Sequence, residues 1–312
     1  MRIIFAGTPK IAIPSLTALI QSEHDVIAVL TRPDARVGRG LIATPSAVAV
    51  VASENNIPIL KYAHLRDKNF QQELETLNPD AIAVVAFGAM VPTELLTQPK
   101  FGWINLHFSL LPSWRGAAPV PYSIRFGDEI TGATTFQIDE GLDTGPIYGV
   151  LTEQIKPDDT TETLLTRLSI SGAPLLIQTL SGIARGKLVA RPQISEGVSF
   201  APKLSPTEGE IDWRQPALVV GRQIRAFSPD PGAWTTLNGV RIRLGPISIL
   251  ESNLVGTPGE LIVSKNEVFV TTGSTSIRLD TIQAPGKREM PAADWARGIR
   301  VGSGAVFTMS KP

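Results

Sequence analysis

Cysteine is absent from this 312-residue chain, and histidine occurs only three times. Without cysteine there is no disulfide, no thiolate metal ligand and no thiol nucleophile, a usage that suits a reducing cytoplasm. Long apolar runs are missing too. No stretch approaches the roughly 20 residues of a membrane span. The apolar run Ile3–Ala6 ends at Gly7-Thr8-Pro9, too early for a signal peptide. The expectation is a soluble, cytoplasmic protein. Net charge is absent as well, at zero, which argues against a nucleic-acid binder held mainly by phosphate contacts. The first strand-to-helix turn lacks Gly-x-Gly-x-x-Gly, and no Walker pattern occurs, so neither NAD nor ATP is supported. There is no internal repeat and no low-complexity tract.

What is present is ordinary globular composition, 43% hydrophobic and 19% charged, at a length that allows two domains. The first half alternates strand and helix. Strands are expected at Ile3–Ala6, Val26–Thr31, Ile57–Lys61, Ala81–Phe87 and Ile104–Phe108. Helices are expected at Pro9–Ile20, Thr44–Asn55 and near Asn69–Leu77. Such alternation predicts an α/β fold with a parallel, doubly wound sheet, its functional groups past the carboxyl ends of the strands. Two β-rich runs, Thr134–Ile138 and Pro146–Ile155, flank a Gly-rich turn, and Thr160–Leu180 has helical Leu periodicity. The polar stretch from Ile183 reads as a linker. The expected division is therefore a domain over 1–183, a linker over 184–209 and a second domain over 210–312.

The second domain begins with a helix near Ala217–Phe227, continues with short, closely spaced strands up to Ser276–Ile282, and ends with a helix over Ala292–Gly298. That pattern predicts a small β-barrel. From Arg214 onward twelve Lys/Arg stand against seven Asp/Glu, a net of +5 against −5 for the preceding part. Random scatter of surface charge explains this as well as an RNA-facing surface does. Thr31–Pro45 reads as a mobile basic loop with three arginines among glycines and prolines.

The most informative stretch is Trp103–Gly116. Its strand places Asn105 and His107 two residues apart, on one face, before Pro112 and Gly116 turn the chain away. A lone histidine there is ordinarily a satisfied core residue. Three features reverse that reading: the rarity of histidine, the amide on the same face, and a carboxylate, Asp143, in the Gly141–Gly145 turn. An amide can donate to an oxyanion, an imidazole can move a proton, and a carboxylate can orient the imidazole. Ser109 has no obvious second base, so direct transfer is expected and not an acyl-enzyme.

Asn105-Leu106-His107-Phe108-Ser109-Leu110-Leu111-Pro112, then Arg115-Gly116-Ala117-Ala118-Pro119, then Gly141-Leu142-Asp143-Thr144-Gly145 resemble the folate-dependent formyltransferases. Within them, the chain is most similar to the members that act on initiator methionyl-tRNA. The resemblance implies a Rossmann-like catalytic domain followed by an OB-like barrel, with a monomer as the working unit. It implies transfer of a formyl group from 10-formyltetrahydrofolate, as co-substrate and with no metal, catalysed by Asn105, His107 and Asp143. The folate pocket would comprise Phe87, Gly88, Ala89, Met90, Ser109, Leu110, Leu111, Pro112, Gln137, Ile138 and Asp139, largely through main-chain groups. Taken alone, Met90 reads as core filler.

For tRNA the resemblance implies Arg36, Arg39, Lys287 and Arg288. Three positions depart from the family: Leu41 and Ile42 stand where lysines are usual, and Phe108 where a small residue is. Three other readings stay open: a nucleotide-sugar formyltransferase, a 10-formyltetrahydrofolate hydrolase, and a non-enzymatic RNA-binding protein.

Overall fold

The computed structural model describes residues 1–37, 42–251 and 256–309. These fall into two compact units: Met1–Pro119, Ile130–Gln154 and Leu165–Pro202 in the first, and Val120–Glu129, Ile155–Leu164 and Lys203–Pro312 in the second. Arg39 and Leu41 lie outside the described residues.

The first unit opens with β1 (Arg2–Gly7), α1 (Ile13–Ile20) and β2 (Asp25–Thr31). A short hairpin follows, β3 (Ala35–Val37) with β4 (Ile42–Thr44), then α2 (Ala47–Glu54), β5 (Ile59–Lys61) and α3 (Lys68–Leu77). Next come β6 (Ala81–Val85) and β7 (Trp103–His107). The helix α4 (Pro119–Phe126), which from Val120 on belongs to the second unit, precedes β8 (Ile130–Gln137), β9 (Ile147–Gln154) and α5 (Thr161–Ala184), whose first turn through Leu164 also belongs to the second unit. The strands form one sheet in the order β5-β2-β1-β6-β7-β8-β9. The first five are parallel, and β8 and β9 are antiparallel to their neighbours. This is the mostly parallel α/β architecture expected from the sequence.

Burial explains the order. All five residues of β6 are buried, as both-face coverage of a central parallel strand requires. Along β1 the pleat sends Ile4 and Ala6 into one core with Phe70 and Leu74 of α3, and with Trp103 of β7. Ile3 and Phe5, equally buried, point the other way. The chain runs outward from β1 to β2 and β5, then returns to β6 and β7. Strand order therefore reverses between β1 and β6, where open α/β sheets carry their binding crevice. Gly7 and the Ala86–Gly88 turn lie at those two carboxyl ends, joined by a bond from Thr8 Oγ1 to the Phe87 carbonyl at 3.1 Å.

Several local expectations change. The stretch from Thr31 to Pro45 is not simply a loop, because its described ends pair as a β-ladder. The helix expected from Thr44 starts only after Ser46, whose hydroxyl caps it by accepting from Ala49 N–H at 3.0 Å. The helix α4 escapes a periodicity reading because Pro119 and Pro121 occupy its first turn, where a missing N–H is tolerated. The stretch expected as a linker is laid along the first unit through Pro202. Main-chain pairs Ile147–Arg191 and Arg115–Phe200 hold it there.

The second unit contains α6 (Ala217–Phe227), the strands β10 (Trp234–Leu237), β11 (Val240–Leu244), β12 (Ile247–Ile249), β13 (Leu261–Val263), β14 (Val268–Thr271), β15 (Ser276–Leu279), β16 (Thr281–Gln283) and β17 (Met290–Pro291), and α7 (Ala292–Gly298). Among the described residues they make two antiparallel sheets, β10-β11-β16-β17 and β12-β15-β14-β13. The single strand expected over Ser276–Ile282 breaks at Asp280, so that β15 joins one sheet and β16 the other. Trp213, Phe307 and Trp295 stack in sequence, with centroids 5.5 and 6.3 Å apart, and form an aromatic centre.

Trp103 anchors β7 from below the site: it is fully buried, and its indole N–H donates to the Leu95 carbonyl at 2.8 Å. Trp103→Ala is expected to lower stability by about 3–5 kcal/mol, read from the midpoint of urea unfolding. A loss below about 1 kcal/mol would show that the indole packs loosely.

Candidate active site

The site forms where β7 ends. Asn105 and His107 share one face of that strand, paired across the sheet with Phe136 and Thr134 of β8. Asn105 is half-buried and His107 is 6% exposed. His107 Nε2 lies 3.0 Å from the Trp114 carbonyl oxygen. A carbonyl can only accept, so Nε2 carries the hydrogen and Nδ1 is the basic nitrogen of the neutral ring. Nδ1 faces Asp143 Oδ2 at 3.7 Å, beyond hydrogen-bond distance. Protonation would turn that approach into an ion pair.

Two loops hold this geometry. After β7 the chain folds over itself: Ser109 Oγ donates to the Ser113 carbonyl at 2.6 Å, and Thr134 Oγ1 donates to the Ser109 carbonyl at 2.7 Å. Ser109 is completely buried, so its hydroxyl is spent on the loop. Trp114, in the left-handed region at φ 60°, presents its carbonyl to the imidazole. Gly116 has φ 123°, and an added Cβ would stand 2.7 Å from the Ala201 carbonyl oxygen, so only glycine fits. Its N–H donates to Asp143 Oδ2 at 2.7 Å.

The second loop spans residues 138–146. Asp139 Oδ1 accepts from Gly141 N–H at 3.1 Å and from Thr144 Oγ1 at 2.6 Å. Asp143 itself has φ 52°, a conformation that Asp tolerates better than most residues. At Gly145 a Cβ would come within 1.7 Å of the Gln137 carbonyl oxygen. Gln193, on the stretch beside this loop, donates from Nε2 to the carbonyls of Asp143 and Gly145 at 2.7 and 2.9 Å. Its Oε1 accepts from Arg115 Nε and Nη2 at 3.2 and 2.6 Å. A cleft of about 510 Å³ opens here, lined by Arg115, Thr144, Pro146, Gln193, Ile194 and Val198 among others.

The residues expected to bind folate divide by what their side chains do. Phe87 is 2% exposed and belongs to the core, with Ala89 and Ile138 packed against it. Met90 is 68% exposed, so it is not core filler. Ala86 at φ 48° and Gly88 at φ 80° hold the turn open, and no heavy atom lies within 4 Å of a Cβ built on Gly88. Gln137 Oε1 accepts from the Tyr148 hydroxyl at 3.0 Å. Leu110 is half-buried, while Leu111 and Pro112 are buried. Leu111 N–H donates to Thr134 Oγ1 at 3.2 Å. Far along the sequence, Lys287 and Arg288 are exposed between β16 and β17, and Arg36 contributes main chain to the β3–β4 ladder.

A pattern of the family described as Formyl transferase matches residues 1–180, and that of Formyl transferase, C-terminal domain, matches residues 203–300. The methionyl-tRNA formyltransferase of Thermobifida fusca is 54% identical over 307 residues, covering 98% of this chain and 99% of that protein. The chain belongs to the methionyl-tRNA formyltransferase family.

Solved structures of related fold include HypX from Aquifex aeolicus in complex with tetrahydrofolic acid, at 20% identity and TM-score 0.65, covering 97% of this chain and 48% of that one. The methionyl-tRNA formyltransferase from Clostridium thermocellum aligns at 17% identity and TM-score 0.58, covering 88% of this chain and all of that one. Membership accounts for both halves of the chain. It leaves the interval between the two family matches, which contains Gln193, without an assignment. No motif flagged Gln193 in advance: it is a single amide in a polar stretch, 50 residues from Asp143.

Electrostatics set the behaviour of His107. Burial pushes the imidazole below its ordinary range, while the Asp143 carboxylate and the Trp114 carbonyl pull it back up. A depressed imidazole means the folded state binds fewer protons than the unfolded state just below the ordinary value. Its contribution to stability is therefore full above about pH 6.5 and lost as pH falls below it. In an NMR titration His107 is expected to protonate below about 6.5, and Asp143→Asn should move it lower still, because a raising influence is removed. An upward move in that variant would contradict the pairing.

Proposed function

We propose that this protein transfers the formyl group of 10-formyltetrahydrofolate to the α-amino group of methionine carried on initiator tRNA. The observation that carries the proposal is the His107–Asp143 pair at the end of β7, within a chain that matches its relatives across both family domains.

The chemistry follows from the positions. The amine forms a bond to the formyl carbon, charge collects on the formyl oxygen, and the bond from that carbon to the folate nitrogen then breaks. Asn105, half-buried beside His107, is the donor to the developing oxyanion. His107 Nδ1 takes the proton from the attacking ammonium and returns it to the leaving nitrogen. Asp143 stabilises the imidazolium while that proton is in transit. Holding Nε2 on the Trp114 carbonyl keeps the basic nitrogen facing the carboxylate.

The open turn over residues 86–90, at the crevice between β1 and β6, offers main-chain groups to the pterin, together with the Leu110–Pro112 and Gln137–Asp139 segments. HypX in complex with tetrahydrofolic acid, which shares this fold, supports folate as the one-carbon carrier. Arg39 and Arg36 in the Thr31–Pro45 stretch, with Lys287 and Arg288 beyond β16, are the tRNA contacts we propose. The two antiparallel sheets of the second unit would act as the OB-like barrel that presents the last two. The site of action is the cytoplasm, and the working unit is a monomer. The near-full-length match to a methionyl-tRNA formyltransferase favours this acceptor over an amino-sugar nucleotide.

Incubating the protein with 10-formyltetrahydrofolate and either charged initiator tRNA, charged elongator tRNA or an amino-sugar nucleotide tests the acceptor. Formylation of initiator methionyl-tRNA is expected to dominate; formylation of the sugar alone would overturn the reading. Asn105→Ala and His107→Ala are each expected to lower kcat by about 10²-fold or more. A folded variant with near-wild-type kcat would remove that residue from the mechanism. Arg39→Ala should impair transfer to tRNA while leaving slow folate hydrolysis unchanged. An equal loss in both reactions would place Arg39 outside tRNA recognition.

A further inference from the structure

In residues 191–198 the chain is exposed throughout except at Gln193, whose side chain turns inward and is half-buried. The stretch is pinned on both sides of that residue. Before it, Ile147 and Arg191 exchange main-chain bonds at 2.7 and 2.8 Å. After it, Arg115 N–H donates to the Ser199 carbonyl at 2.9 Å and Ala201 N–H donates to the Arg115 carbonyl at 2.8 Å. The amide of Gln193 is thus delivered to a fixed place by backbone pairing.

Its orientation is dictated by its neighbours. Two carbonyl oxygens, those of Asp143 and Gly145, can only accept, and the Arg115 guanidinium can only donate. The NH₂ group must face the loop and the oxygen must face Arg115. One side chain therefore ties together the residue carrying the carboxylate, the glycine two positions on, and the arginine next to the Gly116 N–H that Asp143 accepts. Asp143 is held at its carboxylate by Gly116 and at its carbonyl by Gln193.

We propose that Gln193 is a positioning residue for formyl transfer. It fixes the 143–145 main chain so that the Asp143 carboxylate meets His107 Nδ1. The proposal rests on the role given above to Asp143. It adds a residue from the interval between the two matched family regions. Gln193 acts through Asp143, so its effect depends on having a carboxylate to position.

The test is a double-mutant cycle on the full-length protein, with initiator methionyl-tRNA and 10-formyltetrahydrofolate. Gln193→Ala removes both halves of the clamp. Gln193→Glu keeps an acceptor for Arg115 but sets a carboxylate oxygen against the two carbonyls, so it isolates the donor half. Both variants should lower kcat by about tenfold or more, with KM for the formyl donor within about twofold of wild type.

Combined with Asp143→Asn, neither should cost anything further, because the group they position is already gone. Wild-type kcat in both single variants would overturn the proposal. So would losses that multiply with that of Asp143→Asn, or failure of both variants to fold by circular dichroism, since each marks a role independent of the carboxylate. A wild-type rate for Asp143→Asn alone would instead sink the function assigned to Asp143.

Discussion

A carboxylate on a loop is useful to a buried imidazole only if it cannot swing away, and here one short hydrogen bond prevents that. Asp143 Oδ2 accepts from Gly116 N–H at 2.7 Å, and from that tether it stands 3.7 Å from His107 Nδ1. The tether needs Gly116, because its φ and its approach to Ala201 admit no side chain. It needs a folded turn after β7, which the Ser109, Ser113 and Thr134 bonds provide. Sheet, turn and loop converge on one oxygen.

The imidazole is balanced between opposing effects of its surroundings. Burial disfavours its cation, and the carboxylate favours it. Burial prevails, so the ring is held below its ordinary range, while the carboxylate limits that depression. Had Asp143 been hydrogen-bonded directly to Nδ1, the ring would be committed before substrate arrives. The longer separation leaves Nδ1 able to take a proton and then gain a partner.

Much of this was legible in the sequence, and the reason is periodicity. A two-residue repeat put Asn105 and His107 on one strand face, and Pro112 with Gly116 announced the turn that follows. The central strands were legible because burial on both faces leaves continuous apolar runs, as in Ala81–Val85. What escaped reading was carried by main chain or by distance. The Trp114 carbonyl that orders the imidazole has no side-chain signature. Gln193 reaches Asp143 from 50 residues away, across a stretch whose composition suggests only a linker. The helix α4 hid behind its two prolines. The switch of sheets at Asp280 is set by tertiary pairing, which a continuous strand-like pattern does not reveal.

The basic nitrogen of His107 is Nδ1, facing the carboxylate, with Nε2–H bound to the Trp114 carbonyl. Nitrogen-15 shifts of the His107 ring, assigned by comparison with a His107→Asn variant and recorded above its titration, test that placement directly. A protonated Nε2 and an unprotonated Nδ1 are expected. The opposite tautomer, with hydrogen on Nδ1, would contradict it.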